Sequence, residues 1–174
     1  MSEHLRPHPQ YPDKLWIRGP LSIPQDVLAD LDAHALQAYP DECCGFVFGP
    51  AATPHRLTSS ARETNEANRY HALDPETFPR TARTYFKINE LRAVRTIERA
   101  EAQGLPLKVV YHSHCDAGAY FSDEDIATFS RDGQLMWPCA FIVVSVIDGK
   151  ISERKLWVHI PEQDAFEEAA LEIT

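Results

Sequence analysis

The sequence predicts a single α/β domain in which a curved, mixed β-sheet is flanked by helices. Three observations support this fold class. The chain has 174 residues, of which 44% are hydrophobic, and that is enough for one domain with a sizeable core. Apolar runs of strand length occur at residues 43–49, 105–114 and 139–147. Segments with helical periodicity separate these runs.

Charge and composition exclude several classes of partner. The formal net charge is −9, from 26 acidic residues against 17 Lys and Arg. An acidic surface repels phosphate backbones and anionic lipids, so we expect neither nucleic acid nor a membrane as a partner. No segment approaches the roughly 20 apolar residues of a membrane span. The four cysteines lack the spacing of a disulfide framework, so we expect a cytoplasmic location.

The N-terminus is expected to be a flexible tail. Three prolines interrupt residues 1–13 and no apolar period appears there, so the folded domain is predicted to cover residues 14–174. His4 and His8 in this tail are expected to be solvated. LWIRG, at residues 15–19, is predicted to form a short strand.

Two long helices are predicted before residue 105. Ser22 and Gln25 have the spacing of a capping box for a helix that ends near Ala38. A longer helix is expected from Phe86 to Ala102. The predicted buried stripes are Val27, Leu28, Leu31, Ala35 and Leu36 in the first helix, and Ile88, Leu91, Val94 and Ile97 in the second.

The C-terminal part is predicted to begin with a buried strand at residues 139–147. Asp148-Gly149 is a hairpin signal that joins it to a half-exposed antiparallel strand at residues 151–160. Residues 162–173 are expected to form an amphipathic helix, with Phe166, Ala170 and Ile173 on its buried side.

Two histidines end the second apolar run. Side chains two apart on a strand point to the same face, so the imidazoles of His112 and His114 are predicted to point together. Two imidazoles on one face are suitable ligands for zinc. The alternative is a pair of polar residues at the end of a sheet strand, and the pair by itself leaves both interpretations open.

Another helix is predicted to begin at Ser122 and to end near Phe129. Ser122 as N-cap, with Asp125 in place of the usual Glu or Gln, would complete a capping box, which needs no ligand. First-turn side chains also lean back over the helix N-terminus, so Asp125 could reach the end of the histidine strand. Three protein ligands would leave a fourth tetrahedral position for water, as in a catalytic zinc site.

A catalytic zinc site also needs a base. Zinc can lower the pKa of its bound water to about 7. Glu42, which lies just before the first apolar run, is a candidate to take the proton from that water. The alternative interpretation of Glu42 is a solvated carboxylate in a loop.

Taken together, these residues resemble the motif of the JAMM (MPN-plus) metallopeptidases. The motif is a glutamate before a short glycine-containing strand, then His-Ser-His, seven residues and Ser-x-x-Asp. It is found here as Glu42, residues 112–114, Ser122 and Asp125. The resemblance extends over residues 20–158 and points to the small prokaryotic type. It implies the JAMM/MPN fold, whose architecture is similar to that of cytidine deaminases.

The resemblance implies a role for each residue of the motif. His112, His114 and Asp125 would bind zinc, one ion per chain. Glu42 would act as general acid and base for the zinc-activated water, and Ser122 would donate a hydrogen bond to the oxyanion. The implied reaction is hydrolysis of a peptide or isopeptide bond without a covalent enzyme intermediate.

The cysteines need separate interpretation. Family members commonly have proline after the second histidine, where this chain has Cys115. A thiol there could bind the metal, could be sensitive to oxidation, or could simply fill the loop. The adjacent Cys43 and Cys44 are given no catalytic role.

Asn65, Asn68, Tyr70 and His71 lie in a segment that resembles one found between the glutamate strand and the next helix in prokaryotic members. These residues are candidates for a substrate groove, and the alternative is an edge strand followed by a turn. His159, after the last predicted strand, is expected to be an exposed surface residue.

The resemblance also implies a substrate. Family members cleave after the C-terminal glycine of ubiquitin or a ubiquitin-like protein, in deconjugation or in C-terminal processing. The expected partner is thus a ubiquitin-like or sulfur-carrier protein with the β-grasp fold. One alternative is a non-catalytic MPN scaffold that binds protein partners. Another is a zinc hydrolase of small molecules, although the Cys-x-x-Cys ligand pair of the zinc deaminases is absent.

Overall fold

The computed structural model describes residues 6–174. Over that range the chain forms four α-helices and ten β-strands. The helices are α1 (Gln25–Ala38), α2 (Ala67–Leu73), α3 (Glu90–Glu101) and α4 (Asp123–Phe129). The strands are β1 (Leu21–Ile23), β2 (Cys44–Phe48), β3 (Ser59–Glu63), β4 (Leu107–Cys115), β5 (Ser130–Arg131), β6 (Gln134–Leu135), β7 (Ala140–Ile147), β8 (Lys150–Ile160), β9 (Ala165–Ala169) and β10 (Leu171–Ile173).

Six of these strands form one mixed sheet. Its order is β3-β2-β4-β7-β8-β9, in which β4 and β7 are parallel and every other pair is antiparallel. Two small sheets lie outside it: β1 pairs with β10, and β5 pairs with β6. The predicted fold class, a mixed sheet flanked by helices in one domain, is confirmed.

The middle of the sheet is the core of the molecule. All of β4 except Cys115 is buried, and all of β7 except Ile147 is buried. A strand buried on both faces needs a near-continuous apolar run, and the two runs in the sequence predicted both strands. Helix α1 packs over β3, β4, β7 and β8, and α3 packs against β4. The predicted hairpin at Asp148-Gly149 joins β7 to β8, with positive φ at both turn residues.

Helix α1 ends at Ala38 as predicted, but its predicted start is wrong. Its N-cap is Pro24, and Ser22 lies in β1 paired with Glu172, so Ser22 and Gln25 form no capping box. The Gln25 N–H, at the first position of the helix, donates instead to the Thr174 carbonyl at 3.0 Å. Leu36, which was predicted to be buried, is 42% exposed.

Helix α3 is shorter than predicted and is less buried. It begins at Glu90 after the N-cap Asn89, whose side chain accepts a hydrogen bond from the Arg92 N–H, so it does not include Phe86. Its buried residue is Ala93, whereas Leu91 is 63% exposed and Val94 is 49% exposed. The predicted apolar stripe is thus present, but half of it faces away from the sheet.

Two segments have a different secondary structure from the prediction. Residues 15–18, predicted as a strand, form a 3₁₀ helix. Residues 162–173, predicted as a helix, contain β9 and β10. Strand β9 pairs with β8, and the Phe166 ring packs 4.5 Å from that of Phe121. Pairing with two separate strands outweighs the high helix propensity of Glu and Ala, because so short a helix is only marginally stable by itself.

The predicted N-terminal tail is partly folded. Its residues 1–5, including His4, lie outside the described residues. His8 is only 1% exposed, and its Nε2 atom lies 3.0 Å from the Nδ1 atom of His159, which is itself fully buried. The predictions that His8 is solvated and that His159 is exposed are therefore wrong.

No helix in the described part of the chain is long and apolar enough to cross a membrane.

Candidate metal centre

Strand β4 carries both histidines to its C-terminal end. His112 pairs with Cys44 of β2 on one side and with Val143 of β7 on the other, and His114 pairs with Ser145 of β7. His112 is fully buried, and His114 is almost so. Since residues two apart on a strand share a face, the two imidazoles point to the same place, as predicted.

Helix α4 begins with the predicted capping box. The Ser122 Oγ atom accepts a hydrogen bond from the Asp125 N–H at 3.1 Å, and the Ser122 N–H donates to Asp125 Oδ2 at 3.0 Å. This box fixes the Asp125 carboxylate over the N-terminus of the helix. The carboxylate is buried and directed at the two histidines.

His112, His114 and Asp125 form a compact group of three ligands. The two Nε2 atoms are 3.2 Å apart, and they lie 3.1 and 3.3 Å from the two carboxylate oxygens of Asp125. Ligand atoms about 2.0–2.1 Å from a tetrahedral metal ion lie about 3.3 Å from one another. The spacing of the three side chains therefore fits such an ion.

Hydrogen bonding favours the ligand form of His114. Its Nδ1 atom donates to the Gly118 carbonyl at 2.8 Å, which leaves a lone pair on Nε2 at the centre of the cluster. The Nδ1 atom of His112 has no hydrogen-bond partner among the described residues, and its ring stacks on Phe86 at 4.5 Å. Lone pairs and a carboxylate that face one another in a buried place need a cation, so the residues fit a metal ion.

The charge of Asp125 is consistent with a ligand role. Burial by itself raises the pKa of the Asp125 carboxyl group, but the electrostatic interaction and hydrogen bond with His112, the hydrogen bond with His114 and the Ser122 N–H outweigh it. The net result is a pKa well below the usual range, so the carboxylate is ionised at neutral pH.

Glu42 reaches the same place because of strand register. Strands β2 and β4 are antiparallel and pair Cys44 with His112, so Glu42, two residues before Cys44, comes opposite His114. Two backbone bonds hold it there: the Glu42 N–H donates to the Ala82 carbonyl at 2.7 Å, and its own carbonyl accepts from Asn65 Nδ2 at 2.9 Å. Glu42 is 7% exposed.

A cavity of about 160 Å³ opens next to the ligands. Its lining includes Glu42, Ser122, His114 and Asp125, and the hydroxyl of Ser122 is free to donate because its oxygen serves as the acceptor in the capping box. The remaining residues around the cavity are Arg80, Arg83, Thr84, Tyr85, Phe86, Cys115, Ala117, Tyr120, Glu124 and Thr128. The structure thus brings all five motif residues together, four at the cavity wall and His112 directly behind.

The proton affinity of Glu42 is high. Burial raises the pKa of the Glu42 carboxyl group, and the negative charge of Asp125 raises it further. The positive charge of Arg80 lowers it, and the resulting pKa is about 9. In the metal-free protein Glu42 is therefore protonated at neutral pH. A nearby cation would favour its ionised form, because opposite charges stabilise one another.

Comparison with models of known protein families assigns the chain to a family. The family model for prokaryotic homologues of the JAB domain matches residues 24–160, which is most of the chain. The chain belongs to this family. The matched range includes Glu42, both histidines, Ser122 and Asp125, and it agrees with the resemblance to small prokaryotic JAMM/MPN proteins.

Solved structures are similar to this JAB domain over most of its length. A protein from Desulfitobacterium hafniense, solved in solution, has a TM-score of 0.67 at 19% identity and covers 89% of this chain and 93% of its own. A protein from Salinibacter ruber has a TM-score of 0.59 at 26% identity, with 89% and 92% covered. A JAB1/MPN domain protein from Archaeoglobus fulgidus has a TM-score of 0.50 at 16% identity, with 90% and 99% covered. No curated protein matches the chain.

Cys115, the residue that departs from the motif, lines the cavity of this JAB domain but is not part of the three-ligand group. Burial raises the pKa of its thiol to about 12, with a contribution from the negative charge of Glu42. A thiol with such a high pKa is protonated and weakly reactive at neutral pH. Cys43 and Cys44 are buried, and all the cysteines are free.

Asn65 and Asn68, two of the predicted groove residues, lie beside Glu42 instead of at the ligand cluster. Asn65 bonds to the Glu42 carbonyl, to the Tyr85 carbonyl at 3.0 Å and to the Lys87 N–H at 3.0 Å. Asn68 accepts from the Ala82 N–H at 2.8 Å. Asn65 and Asn68 also line a second hollow with Glu42. Both side chains hold the backbone around the site, and their contact with a substrate stays a prediction.

Tyr70 and His71 pack on the segment that follows α2. The Tyr70 ring lies 4.9 Å from the Phe78 ring, and His71 Nδ1 donates to the Phe78 carbonyl at 2.8 Å. The irregular segment 79–86 then forms one wall of the cavity. Sequence reasoning missed this wall, because it has no periodicity and reaches the site only through the folded chain.

Proposed function

We propose that this JAB domain is a zinc-dependent metallopeptidase. Its reaction would be hydrolysis of the peptide or isopeptide bond after the C-terminal glycine of a ubiquitin-like or sulfur-carrier protein. One observation supports the proposal above all. A group of three candidate metal ligands, a buried glutamate and a free serine hydroxyl lie at one small cavity. A scaffold that only binds partners needs no such combination.

Zinc is the metal that fits the donors best. Two imidazole nitrogens 3.2 Å apart lie 3.1 and 3.3 Å from the two oxygens of one carboxylate, and this donor set and spacing fit zinc. Bound zinc would supply a Lewis acid that activates water near neutral pH. His112 and His114 would hold it as neutral ligands, and Asp125 as the anionic one.

Glu42 is the proton carrier of the proposed reaction. The scissile C–N bond breaks, a C–O bond forms to the oxygen of water, and one proton of that water ends on the leaving nitrogen. Glu42 would take the proton as a carboxylate and pass it on as a carboxyl group, which is most effective when its pKa is near the working pH. Burial raises the pKa of Glu42, and a bound zinc ion would lower it again toward neutral.

Ser122 is the proposed donor to the oxyanion. Its oxygen is fixed by the Asp125 N–H, so the remaining O–H can point into the cavity. A donor held in place before the reaction stabilises the negative charge of the transition state without reorganisation. The same capping box thus positions a metal ligand and an oxyanion donor.

The size of the cavity supports a glycine at the cleavage site. At about 160 Å³ it is smaller than the roughly 300–1,000 Å³ of pockets that hold drug-sized ligands. A β-grasp protein with a glycine C-terminus presents an extended tail without side chains at the bond to be cleaved. The folded body of such a partner can remain outside.

Two probes test the proposal: ubiquitin and a bacterial sulfur-carrier protein, each extended by one alanine after the terminal glycine. We expect the zinc-loaded protein to release alanine, and a chelator to abolish the release. Glu42→Gln should keep its zinc and fold but lose about 10²–10⁴-fold in kcat. Full activity of Glu42→Gln would refute the mechanism, and zinc binding without hydrolysis of either probe would favour the scaffold alternative.

A further inference from the structure

Ser113, the middle residue of the His-Ser-His segment, is buried on the side of the sheet that faces away from the metal ligands. Side chains alternate along β4, so Ser113 and Tyr111 share a face. The Tyr111 hydroxyl lies 2.7 Å from the Nδ1 atom of His34 in α1, which shows that this face is covered by α1. A buried hydroxyl needs a hydrogen-bond partner, and the partner of Ser113 follows Glu42 in the chain.

The hydrogen bonding between β2 and β4 changes at this serine. The Ser113 N–H donates to the Cys43 carbonyl at 3.1 Å. In a regular antiparallel pair the Cys43 N–H would return this bond to the Ser113 carbonyl. It donates instead to the Ser113 Oγ atom at 2.8 Å. Strand β2 therefore begins only at Cys44, yet the peptide group between Glu42 and Cys43 is still fixed at its N–H end.

The same peptide group is fixed at its carbonyl end by Asn65. The Glu42 carbonyl accepts a hydrogen bond from Asn65 Nδ2 at 2.9 Å. On the other side of the Glu42 Cα atom, the Glu42 N–H donates to the Ala82 carbonyl at 2.7 Å. Both peptide groups next to this Cα atom are thus held, and this fixes the direction in which the Glu42 side chain leaves the backbone.

Asn65 also connects Glu42 to the wall of the cavity. Its Nδ2 atom donates to the Tyr85 carbonyl at 3.0 Å, and its Oδ1 atom accepts from the N–H groups of Ala67 and Lys87, each at 3.0 Å. An amide side chain has two N–H donors and two acceptor lone pairs, so these bonds and the one to Glu42 fix its plane. Tyr85 lines the cavity, so one side chain holds the glutamate and the wall in a fixed relation.

We propose that Ser113 and Asn65 are positioning residues for Glu42, which hold the peptide group after it from both ends and so direct its carboxyl group into the cavity. This inference rests on the proposed function, in which Glu42 carries the proton. Proton transfer requires hydrogen-bond reach, and a displacement of about 1 Å can cost about 10²-fold in rate. The two side chains contact the backbone of Glu42, so their effect falls on kcat more than on KM.

Ser113→Ala tests the N–H end of this peptide group. With the two alanine-extended probes we expect kcat to fall by about 10- to 100-fold and KM to change little. Zinc content should match that of the wild type, because the ligands lie on the other face of β4. Ser113→Thr keeps the hydroxyl and should recover most of kcat.

Val144→Ala is the matched control for Ser113→Ala. Val144 pairs with Ser113 in the neighbouring strand β7 and is equally buried. Its truncation should lower the midpoint of urea denaturation at least as much, because it leaves a cavity in the core. No bond to the backbone near Glu42 is lost, so kcat should stay at the wild-type value.

Asn65→Asp tests the carbonyl end. Aspartate is close in shape and keeps an acceptor oxygen for Ala67 and Lys87, but it has no N–H groups for the carbonyls of Glu42 and Tyr85. We expect kcat to fall by about 10- to 100-fold here as well. In the double variant with Ser113→Ala the loss should be smaller than the product of the two single losses, because both changes release one peptide group.

Amide hydrogen exchange gives a measure that does not depend on activity. In Ser113→Ala the Cys43 N–H should exchange faster relative to the Phe46 N–H, which lies in the middle of β2. In Val144→Ala any change in global stability affects both amides, and their ratio should stay as in the wild type.

The outcomes separate this inference from the proposed function. Full kcat in Ser113→Ala, an equal loss in Val144→Ala, or an unchanged ratio of exchange rates in Ser113→Ala would overturn the positioning role and leave the peptidase intact. Loss of zinc in Ser113→Ala would mean that the serine shapes the ligand strand, and a double-variant loss equal to the product would mean two separate effects. Either result would also overturn it. Absence of hydrolysis by the wild type would defeat the proposed function and this inference with it.

Discussion

Asp125 combines two interactions that are usually found on separate residues. Its backbone N–H and one carboxylate oxygen complete the capping box with Ser122, and both oxygens face the imidazoles of His112 and His114. A cap must lie at the start of a helix, and α4 starts opposite the end of β4. Local helix chemistry therefore fixes the position of the third ligand.

Ser122→Ala separates the structural from the chemical role of this serine. Loss of the cap should lower the free energy of unfolding by about 1 kcal/mol, measured by urea denaturation. Loss of the oxyanion donor should lower kcat by about 10²-fold. Ser122→Thr keeps a hydroxyl and should retain most of the stability. Unchanged stability in Ser122→Ala would show that the capping box does not contribute.

The metal ligands of the motif could be predicted from the sequence, because each follows from a local rule. Side-chain alternation placed His112 and His114 on one face, and the capping pattern placed Asp125 at a helix start. The approach of Glu42 to His114 depends on antiparallel register across 72 residues of chain and came only from the family resemblance. Arg80 has no local signature, since it lies in an irregular wall.

Strand β4 also carries a buried cation. Lys108 is fully buried, and its Nζ atom donates to the carbonyls of Pro50, Thr53 and Arg56 at 2.7, 2.8 and 2.9 Å. These three carbonyls belong to the loop between β2 and β3, so hydrogen bonds from the lysine hold the backbone of that loop. The Nζ atom also lies 5.4 Å from the centre of the Trp16 ring.

Lys108→Met tests whether this lysine holds the loop. The substitution keeps most of the side-chain volume but leaves three carbonyls without a donor, so the free energy of unfolding should fall by about 2–3 kcal/mol. Urea denaturation measures the change. The exposed Lys150→Met in the β7–β8 turn is the matched control and should differ from the wild type by less than about 0.5 kcal/mol. Equal stability of the two variants would contradict this role.

The elements predicted with success were those with strong local patterns. Strands β4, β7 and β8 and the hairpin between the last two follow from apolar runs, alternation and turn chemistry. The C-terminal helix was wrong because the segment 162–173 gains backbone partners in two strands, β8 just before it and β1 near the start of the described chain. The partner in β1 is invisible to a window of local sequence.

Both ends of the described chain contact residues that are distant in sequence. Strand β10 pairs with β1, and the Gln25 N–H donates to the Thr174 carbonyl at 3.0 Å. His8 contacts His159 of β8, and nearby Arg18 is paired with Glu162 at 2.6 Å. The N-terminal segment is therefore fixed by contacts that are distant in sequence.

The buried histidine pair predicts an acid-sensitive N-terminal segment. Burial lowers the pKa of His8 to about 4, with further effects of His159 and Arg18, and burial also lowers the pKa of His159. Between pH 6.5 and 4 the unfolded chain binds protons that the folded chain does not. Stability should thus fall with decreasing pH in this window, by up to about 1.4 kcal/mol per pH unit for His8, and His159 should act in the same direction.

His8→Phe tests this dependence because it keeps a ring but cannot titrate. Thermal unfolding of the wild type and the variant between pH 7 and 4 should converge as the pH falls, since only the wild type loses the contribution of His8. His55→Gln, at an exposed histidine, should follow the wild type. Parallel pH curves for the wild type and His8→Phe would refute the role of the pair.

The metal content of the purified protein tests the central claim most directly, namely that His112, His114 and Asp125 form a metal centre. Elemental analysis after dialysis should find about one zinc per chain in the wild type and much less in Asp125→Asn, which keeps the shape but not the charge of the ligand. A wild type that takes up no zinc, or an Asp125→Asn variant that retains the full amount, would contradict the account.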